Sequence, residues 1–345
     1  MIGYKNPPNI AHLKRLIDKT GLIQHAHFTV PDPKHGYCLD DNARALVAVL
    51  KYHKLFDGKE LIDLAGYFLS FIRYAESEGK FHNFLDYSRE WKDESSYGDS
   101  YGRAIWALGF ATANSSSAGL RESAKWLFDH SIWNSGFLFD LRAIAFTLMG
   151  TCFYFEATKQ KTVLSLIEKL AEQLIKNFEK NKEEGWVWFE NKLTYENARI
   201  PQSLLFAYQK LKKKKYLEIA LASLNFLKEV QFDKKKEYFD IIGQKGWFPK
   251  GGIKATFDQQ PVEAGSLAET FAAAFAITKN PEYKFLAKAA LDWFFGANIL
   301  GVSLFDSESF GIRDGITAKG LNRNQGGESL VSYLLAHLTC LELLK

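Results

Sequence analysis

Two kinds of helical periodicity alternate along the chain. One kind is apolar on every face, over roughly residues 41–55, 100–113, 140–157, 198–211, 261–277 and 326–344. The other confines its charge to one stripe, over roughly 8–19, 59–77, 118–134, 161–180, 214–230 and 281–295, as in Val163-Leu164-Ser165-Leu166-Ile167-Glu168-Lys169-Leu170-Ala171-Glu172. A helix apolar all round must be enclosed by protein, whereas an amphipathic one faces water on one side. Six enclosed helices alternating with six half-exposed ones predict two concentric rings, an all-α (α/α)6 barrel. The first helix is expected to close the outer ring against the last inner one. No long linker divides the chain, and a spacing of about 40–70 residues is too irregular for a solenoid, so residues 1–345 read as one toroidal domain.

Two alternating stretches interrupt the helices. Gly185-Trp186-Val187-Trp188-Phe189 is expected to pair with Lys192-Leu193-Thr194. Tyr238-Phe239-Asp240-Ile241-Ile242 should form a second hairpin around Gly243, before Gly246-Trp247-Phe248. Both precede enclosed helices, which puts small β-hairpins on one rim.

A short polar motif stands before each of the enclosed helices. The motifs are Leu39-Asp40-Asp41-Asn42-Ala43-Arg44, Gly98-Asp99-Ser100-Tyr101-Gly102-Arg103, Asp140-Leu141-Arg142, Glu196-Asn197-Ala198-Arg199, Asp258-Gln259-Gln260-Pro261-Val262-Glu263 and Asn322-Arg323-Asn324-Gln325-Gly326-Gly327-Glu328-Ser329. Acids and amides are expensive to hold beside a core. Their recurrence at one end of the enclosed helices predicts a concave site at that rim.

Composition narrows the chemistry. The net charge of +4 is small, and the runs Lys212–Lys215 and Lys234–Lys236 fall between elements, which favours a solvated surface over nucleic-acid binding. Cys38, Cys152 and Cys340 have no metal-type spacing, and the last two lie in apolar runs, so buried thiols in a reducing compartment are expected. Residues 1–30, beginning Met1-Ile2-Gly3-Tyr4, show no basic-then-apolar leader, and no uncharged apolar run reaches membrane-spanning length. Together these predict a cytoplasmic protein with no membrane partner. Aromatic content is 15%, and Phe81, Phe84, Tyr87, Trp91, Trp186, Trp188, Trp247 and Phe248 fall in loops near the polar motifs. Such rings suit the C–H faces of sugars, or simply plug gaps between loops and ring.

Within the motifs, Asp40 and Asp41 are the first candidates for catalytic carboxylates. One of them could cap the helix, and two adjacent acids exceed what a cap requires. Asp258 and Glu263 form a competing pair. Gln259 and Gln260 between them, with Asn42, Asn197, Asn324 and Gln325, offer the donor–acceptor pairs that vicinal diols need. Tyr37 and His35 should enter the same mouth, with Asp99, Arg103, Glu196, Asp314, Glu328, Trp188 and Trp247 as further sugar-binding candidates. Asp99 with Arg103, Asp140 with Arg142 and Glu196 with Arg199 could equally be buried ion pairs that lock helix ends. His25, His27 and His35 lack a zinc-type spacing, and Gly326-Gly327 is not followed by the Lys-Ser/Thr of a phosphate loop, so no metal or other cofactor is expected. No nucleophile-elbow pattern is present. A carboxylate-rich, aromatic-flanked pocket points to glycosidic-bond chemistry, with one carboxyl protonating the leaving oxygen and another activating water or attacking carbon.

Four ordered motifs carry a resemblance over nearly the whole chain. They are His35-Gly36-Tyr37-Cys38-Leu39-Asp40-Asp41-Asn42-Ala43-Arg44-Ala45, Gly102-Arg103-Ala104-Ile105-Trp106-Ala107-Leu108-Gly109, Asp258-Gln259-Gln260-Pro261-Val262-Glu263-Ala264 and Asn324-Gln325-Gly326-Gly327-Glu328-Ser329. The chain resembles a bacterial family of six-hairpin glycosidase-like proteins found beside, or fused to, glycosyltransferases and mannoside-processing genes. That resemblance implies an (α/α)6 toroid and a carbohydrate substrate. Gly327 stands where the larger family has Ala. The Asp40-Asp41-Asn42 triplet is also similar to that of glycoside hydrolase family 76, the endo-α-1,6-mannanases, whose adjacent aspartates act as nucleophile and acid/base. Tyr37-Cys38-Leu39 departs from the Trp-rich approach of that family. The expectation is a glycoside hydrolase acting on an oligosaccharide, including mannose-containing ones. A sugar isomerase or epimerase, for which His53 and His337 lie well past the motif-bearing ends, and a non-catalytic glycan-binding module are the alternatives.

Overall fold

The computed structural model describes residues 6–344, and the Met1-Ile2-Gly3-Tyr4 start lies outside them. Among the described residues there are twelve α-helices: α1 (Ala11–Leu16), α2 (Leu39–Phe56), α3 (Lys59–Ala75), α4 (Asp99–Asn114), α5 (Ala118–Ser131), α6 (Leu141–Thr158), α7 (Lys161–Asn181), α8 (Arg199–Leu211), α9 (Lys214–Gln231), α10 (Pro261–Thr278), α11 (Pro281–Asp292) and α12 (Gly327–Glu342). The even-numbered helices pack in the order α2–α4–α6–α8–α10–α12, and α12 returns to α2, so they form a closed inner ring. Each odd-numbered helix from α3 to α11 packs on the even one before it, and short α1 touches α12. This is the (α/α)6 toroid that the two periodicities predicted.

The segregation is nearly complete. In α10, every residue from Pro261 to Ala272 is buried, Glu263 and Glu269 included, whereas α7 buries only Val163, Ile167, Leu170, Ala171, Leu174, Ile175 and Phe178. Pro261 opens α10, where its missing N–H costs nothing. Inner helices α4 and α6 approach closely through small residues. A Cβ on Gly109 would overlap the Gly150 carbonyl, and one on Gly150 would overlap the Ile105 carbonyl.

The rim hairpins exist, but their partners differ from those the sequence suggested. The antiparallel pairs are β1 (Ala26–His27) with β2 (Val30–Pro31), β3 (Tyr37–Cys38) with β6 (Phe84–Leu85), β4 (Glu76–Ser77) with β5 (Lys80–Phe81), β7 (Lys192–Leu193) with β10 (Phe248–Pro249), β8 (Phe232–Asp233) with β9 (Tyr238–Phe239), and β11 (Gly315–Thr317) with β12 (Gly320–Asn322). The two expected hairpins are thus joined to each other through Leu193 and Phe248. Trp186 makes only a tight bridge back to Glu183. Cys38, Cys152 and Cys340 are buried free thiols. No helix among the described residues is long and apolar enough to cross a membrane.

Candidate active site

All six polar motifs lie at the amino-terminal ends of the inner helices, as the sequence implied. At α2 the approach is fixed by β3, which pairs with β6, and by Leu39 N–H donating to the Asn83 carbonyl at 2.8 Å. Neither Asp40 nor Asp41 caps the helix, contrary to one reading of the sequence. Cys38 occupies the cap position without a side-chain bond, so both aspartates sit inside the first turn. There the positive end of the helix dipole favours their charge. Asn42 is spent on structure: its Oδ1 accepts Leu22 N–H at 2.9 Å and its Nδ2 donates to Cys38 O at 2.8 Å.

From Asp41 a buried ion network runs inward along the ring axis. Arg44 Nη2 binds Asp41 Oδ1 at 3.1 Å and Glu328 Oε2 at 2.9 Å, and its Nη1 lies 3.5 Å from Glu196 Oε2. Arg103 Nη2 donates to the same Glu196 oxygen at 2.5 Å. Its Nη1 lies 3.2 Å from Asp40 Oδ1, an ion pair without an aligned hydrogen bond, and 3.4 Å from Asp99 Oδ2. Arg199 joins Glu196 at 3.2 Å to Glu269 at 2.6 Å. Six carboxylates therefore share three guanidiniums, and the excess negative charge is not evenly borne.

Burial alone would raise Glu196, but Arg103, Arg44 and Arg199 overcome it and hold its carboxyl down at about 2. Burial pushes Asp41 up to about 7; Arg44 pulls against this, while the negative charge of Glu328 adds to it. Asp40 is also raised by burial, against the pull of Arg103 and Arg44. Asp41 is therefore a carboxyl able to hold a proton near neutral pH. It faces Glu328, whose side chain is 43% exposed, across one nitrogen. Their nearest oxygens, both held by Arg44 Nη2, are no more than about 6 Å apart.

These groups open into a cavity of about 600 Å³ at the rim. One wall comes from the start of α2 and the residues before it: Gln24, His25, Ala26, His27, Asp32, His35, Cys38, Asp40, Asp41 and Arg44. Phe84, Gln260, Asp314, Asn322, Asn324, Gly326, Glu328 and Ser329 complete the lining. Asp314 Oδ1 accepts Gly326 N–H at 2.7 Å and the Ser329 hydroxyl at 2.8 Å. The His25 and His35 rings meet edge-on at 4.8 Å. Burial and the nearby His35 lower His25, opposed by Asp314 and Glu328. Among the described residues, no group of three His, Cys, Asp or Glu side chains is placed to hold a metal ion.

Of the candidates named from sequence, His35, Asp40, Asp41, Gln260, Asp314, Asn324 and Glu328 line this cavity. The others do not. Glu263 is buried, raised by its burial, and accepts from Asn197 and Gln231, so it braces α8 against α10. Asp258 lies on the same rim outside the cavity, with its backbone carbonyl bonded to Gln244. Gln259 Nε2 donates to Asp240 at 2.7 Å, and Gln325 binds Ser309 and Asp306. Tyr37 donates to Asp18 at 2.5 Å and Tyr195 to Asp99 at 2.5 Å. Asn197 ties Thr194 to Glu263, while Arg103, Asp99 and Glu196 belong to the axial network. Trp188 is fully buried, and Trp247 packs on Tyr195 at 6.1 Å.

The buried ion-pair reading holds for Asp99 with Arg103 and for Glu196 with Arg199, but not for Asp140 with Arg142. Asp140 caps α6 by accepting Arg142 and Ala143 N–H, and Arg142 turns to Glu190. Sequence reasoning gave no binding role to Arg44, Gln24, Asn322 or Ser329. Arg44, three residues after Asp41, was the one with a readable signal, because i and i+3 share a helix face.

No family model matches the sequence, and no curated protein matches it. Solved structures do. A sugar epimerase from a ruminal bacterium superposes with a TM-score of 0.74 at 13% identity, over 98% of this chain and 96% of that one. A D-mannose isomerase gives 0.73 at 14% identity, over 96% and 94%. A family 76 α-mannanase of Bacteroides thetaiotaomicron gives 0.70 at 13%, over 96% and 93%. At such identities the likeness is one of fold, and the fold shared is the six-hairpin toroid.

Proposed function

We propose that the chain acts as one catalytic toroid, a glycoside hydrolase that removes sugar from an oligosaccharide, including mannose-containing ones, at the rim cavity. The observation that carries this reading is the arrangement of Asp41 and Glu328 on one guanidinium. One carboxyl is pushed to about 7, and the other, 43% exposed, binds the same Arg44 nitrogen at 2.9 Å. Asp41 would donate its proton to the leaving glycosidic oxygen. Glu328 would serve as the second carboxylate, activating water or attacking the anomeric carbon, with Asp40 beside it stabilising the positive charge that develops on the sugar ring. Gln260, Asn324 and Asn322 would hold hydroxyls, and half-exposed Phe84 would meet a ring face. The likeness in fold to a family 76 α-mannanase agrees with this assignment.

A second reading has specific support. His25 and His35 line the cavity beside Asp314, and two of the fold neighbours are a sugar epimerase and a mannose isomerase. Imidazoles beside these carboxylates could move a proton at C2. One experiment separates the two readings. Incubation of labelled mannosides, glucosides and galactosides in D2O, followed by chromatography and NMR, is expected to show release of a shorter sugar without deuterium at C2. Deuterium incorporation with the chain length intact would favour isomerisation and overturn the hydrolase assignment.

A further inference from the structure

The inner ring has a second opening. At the carboxy-terminal ends of the inner helices lies a cavity of about 380 Å³ to which all six of them contribute, α2 through Lys51 and α12 through Thr339 among others. Its size falls within the range of small-molecule sites. It is open because α10 presents Ala272, Ala273 and Ala276, where α4, α6 and α8 present Phe110, Phe153 and Phe206. Those three rings form a continuous arc, edge to face at 5.0 and 5.4 Å. The floor is polar. Gln202, 5% exposed, spends its carbonyl oxygen on Arg199 at 2.9 Å, and its NH2 group has no acceptor among the described residues. Glu269, 6% exposed, gives one carboxylate oxygen to Arg199.

A packing defect in a core is apolar and dry. This one has a buried amide donor and a carboxylate at its base and an aromatic wall at its side. Each acid lining it has a cation beside it: Glu342 has Lys51 at 3.0 Å, Glu156 has Lys210, and Glu269 has Arg199, which it shares with Glu196. The acids are thus paired, and the remaining cation of the lining, Lys54, is exposed and bonds Asn114 at 3.0 Å. A ligand for this space must offer an apolar face to the phenylalanines, an acceptor to Gln202 and donors to Glu269.

We infer that this opening is a second carbohydrate-binding site, taking a neutral sugar of one or two rings and distinct from the rim cavity. The ring's C–H face lies on the arc of Phe110, Phe153 and Phe206, and its hydroxyls reach Gln202 and Glu269. A sugar bound there touches the last acid of the network that begins at Asp41.

The test needs no turnover, so it stands or falls separately from the hydrolase reading. Methyl α-mannoside, methyl β-glucoside and methyl β-galactoside are titrated into the full chain by calorimetry and saturation-transfer NMR. At least one is expected to show a binding component that Ala276→Trp, which fills the space, and Gln202→Met, which removes the donor, each weaken at least about tenfold. Asp41→Asn is expected to leave that component unchanged. Thermal melts establish that the variants fold, and if Ala276→Trp does not, Gln202→Met decides alone. No binding by any of the three glycosides, or binding indifferent to the cavity variants, overturns the assignment.

Discussion

The two aspartates that open α2 have different surroundings despite being neighbours. Asp40 turns towards Arg103 and Asn83, whereas Asp41 turns towards Arg44 and Glu328. Adjacent positions on a helix point about 100° apart, so the pair divides between two partners. If Asp41 is the proton donor, Asp41→Asn abolishes turnover while the melting temperature stays within a few degrees, because Arg44 keeps Glu196 and Glu328. Activity of the native chain should fall as pH rises through about 7, where Asp41 loses its proton. The stability consequence has a definite sign. A carboxyl raised by folding contributes fully below its unfolded value and loses that contribution as pH climbs through its folded one. The native chain should therefore lose stability relative to Asp41→Asn between about pH 4 and pH 7, as melts at several pH values would show. A difference that stays flat over that range would mean that Asp41 ionises normally.

At the scale of elements, helix identity was legible and detailed pairing was not. Apolar residues on every face marked the inner helices, because only an enclosed helix tolerates them. Leu193 and Phe248 were harder. Each lies in a strand of two residues, too short for period-2 alternation to specify a partner, so these two paired with each other across the chain instead of locally. Likewise, an acid before a helix reads as a cap. At α6 Asp140 is one, while at α2 the aspartates lie within the first turn, after the cap. The two kinds of helix also predict opposite responses to one substitution. Gly109→Ala on inner α4 forces backbone against Gly150 and should cost about 2–4 kcal/mol in denaturant unfolding. Gly66→Ala on outer α3, where an added Cβ meets nothing within 4 Å, should instead stabilise by about 0.5–1 kcal/mol.

At the scale of the molecule, the candidate site is made from both ends of the chain. His25 to Arg44 supply one wall and Asp314 to Ser329 the other, brought together only where α12 closes on α2. Which motif side chains face the cavity was not legible in the sequence. Six similar rim motifs converge, and burial within the axis decides between brace and binder: Glu263 and Glu196 were taken inward, Glu328 was left at the mouth. The axis itself holds helices α2, α4 and α8 through Glu196, which three arginines keep ionised down to about pH 2. Removing that charge leaves buried guanidiniums short of a partner, so Glu196→Gln should cost about 3–5 kcal/mol, far more than Asp41→Asn. Its ionised form contributes above the ordinary glutamate range and is lost only as pH falls towards about 2, so this cost should be nearly constant from neutral to mildly acidic pH. The most direct trial of the whole account is a crystal of Asp41→Asn soaked with an uncleaved oligosaccharide that the native chain processes. A glycosidic oxygen is expected within hydrogen-bond reach of residue 41, with the anomeric carbon facing Glu328. A sugar ordered elsewhere on the rim, beside Asp258 for instance, with the Asp41–Glu328 cavity empty, would contradict it.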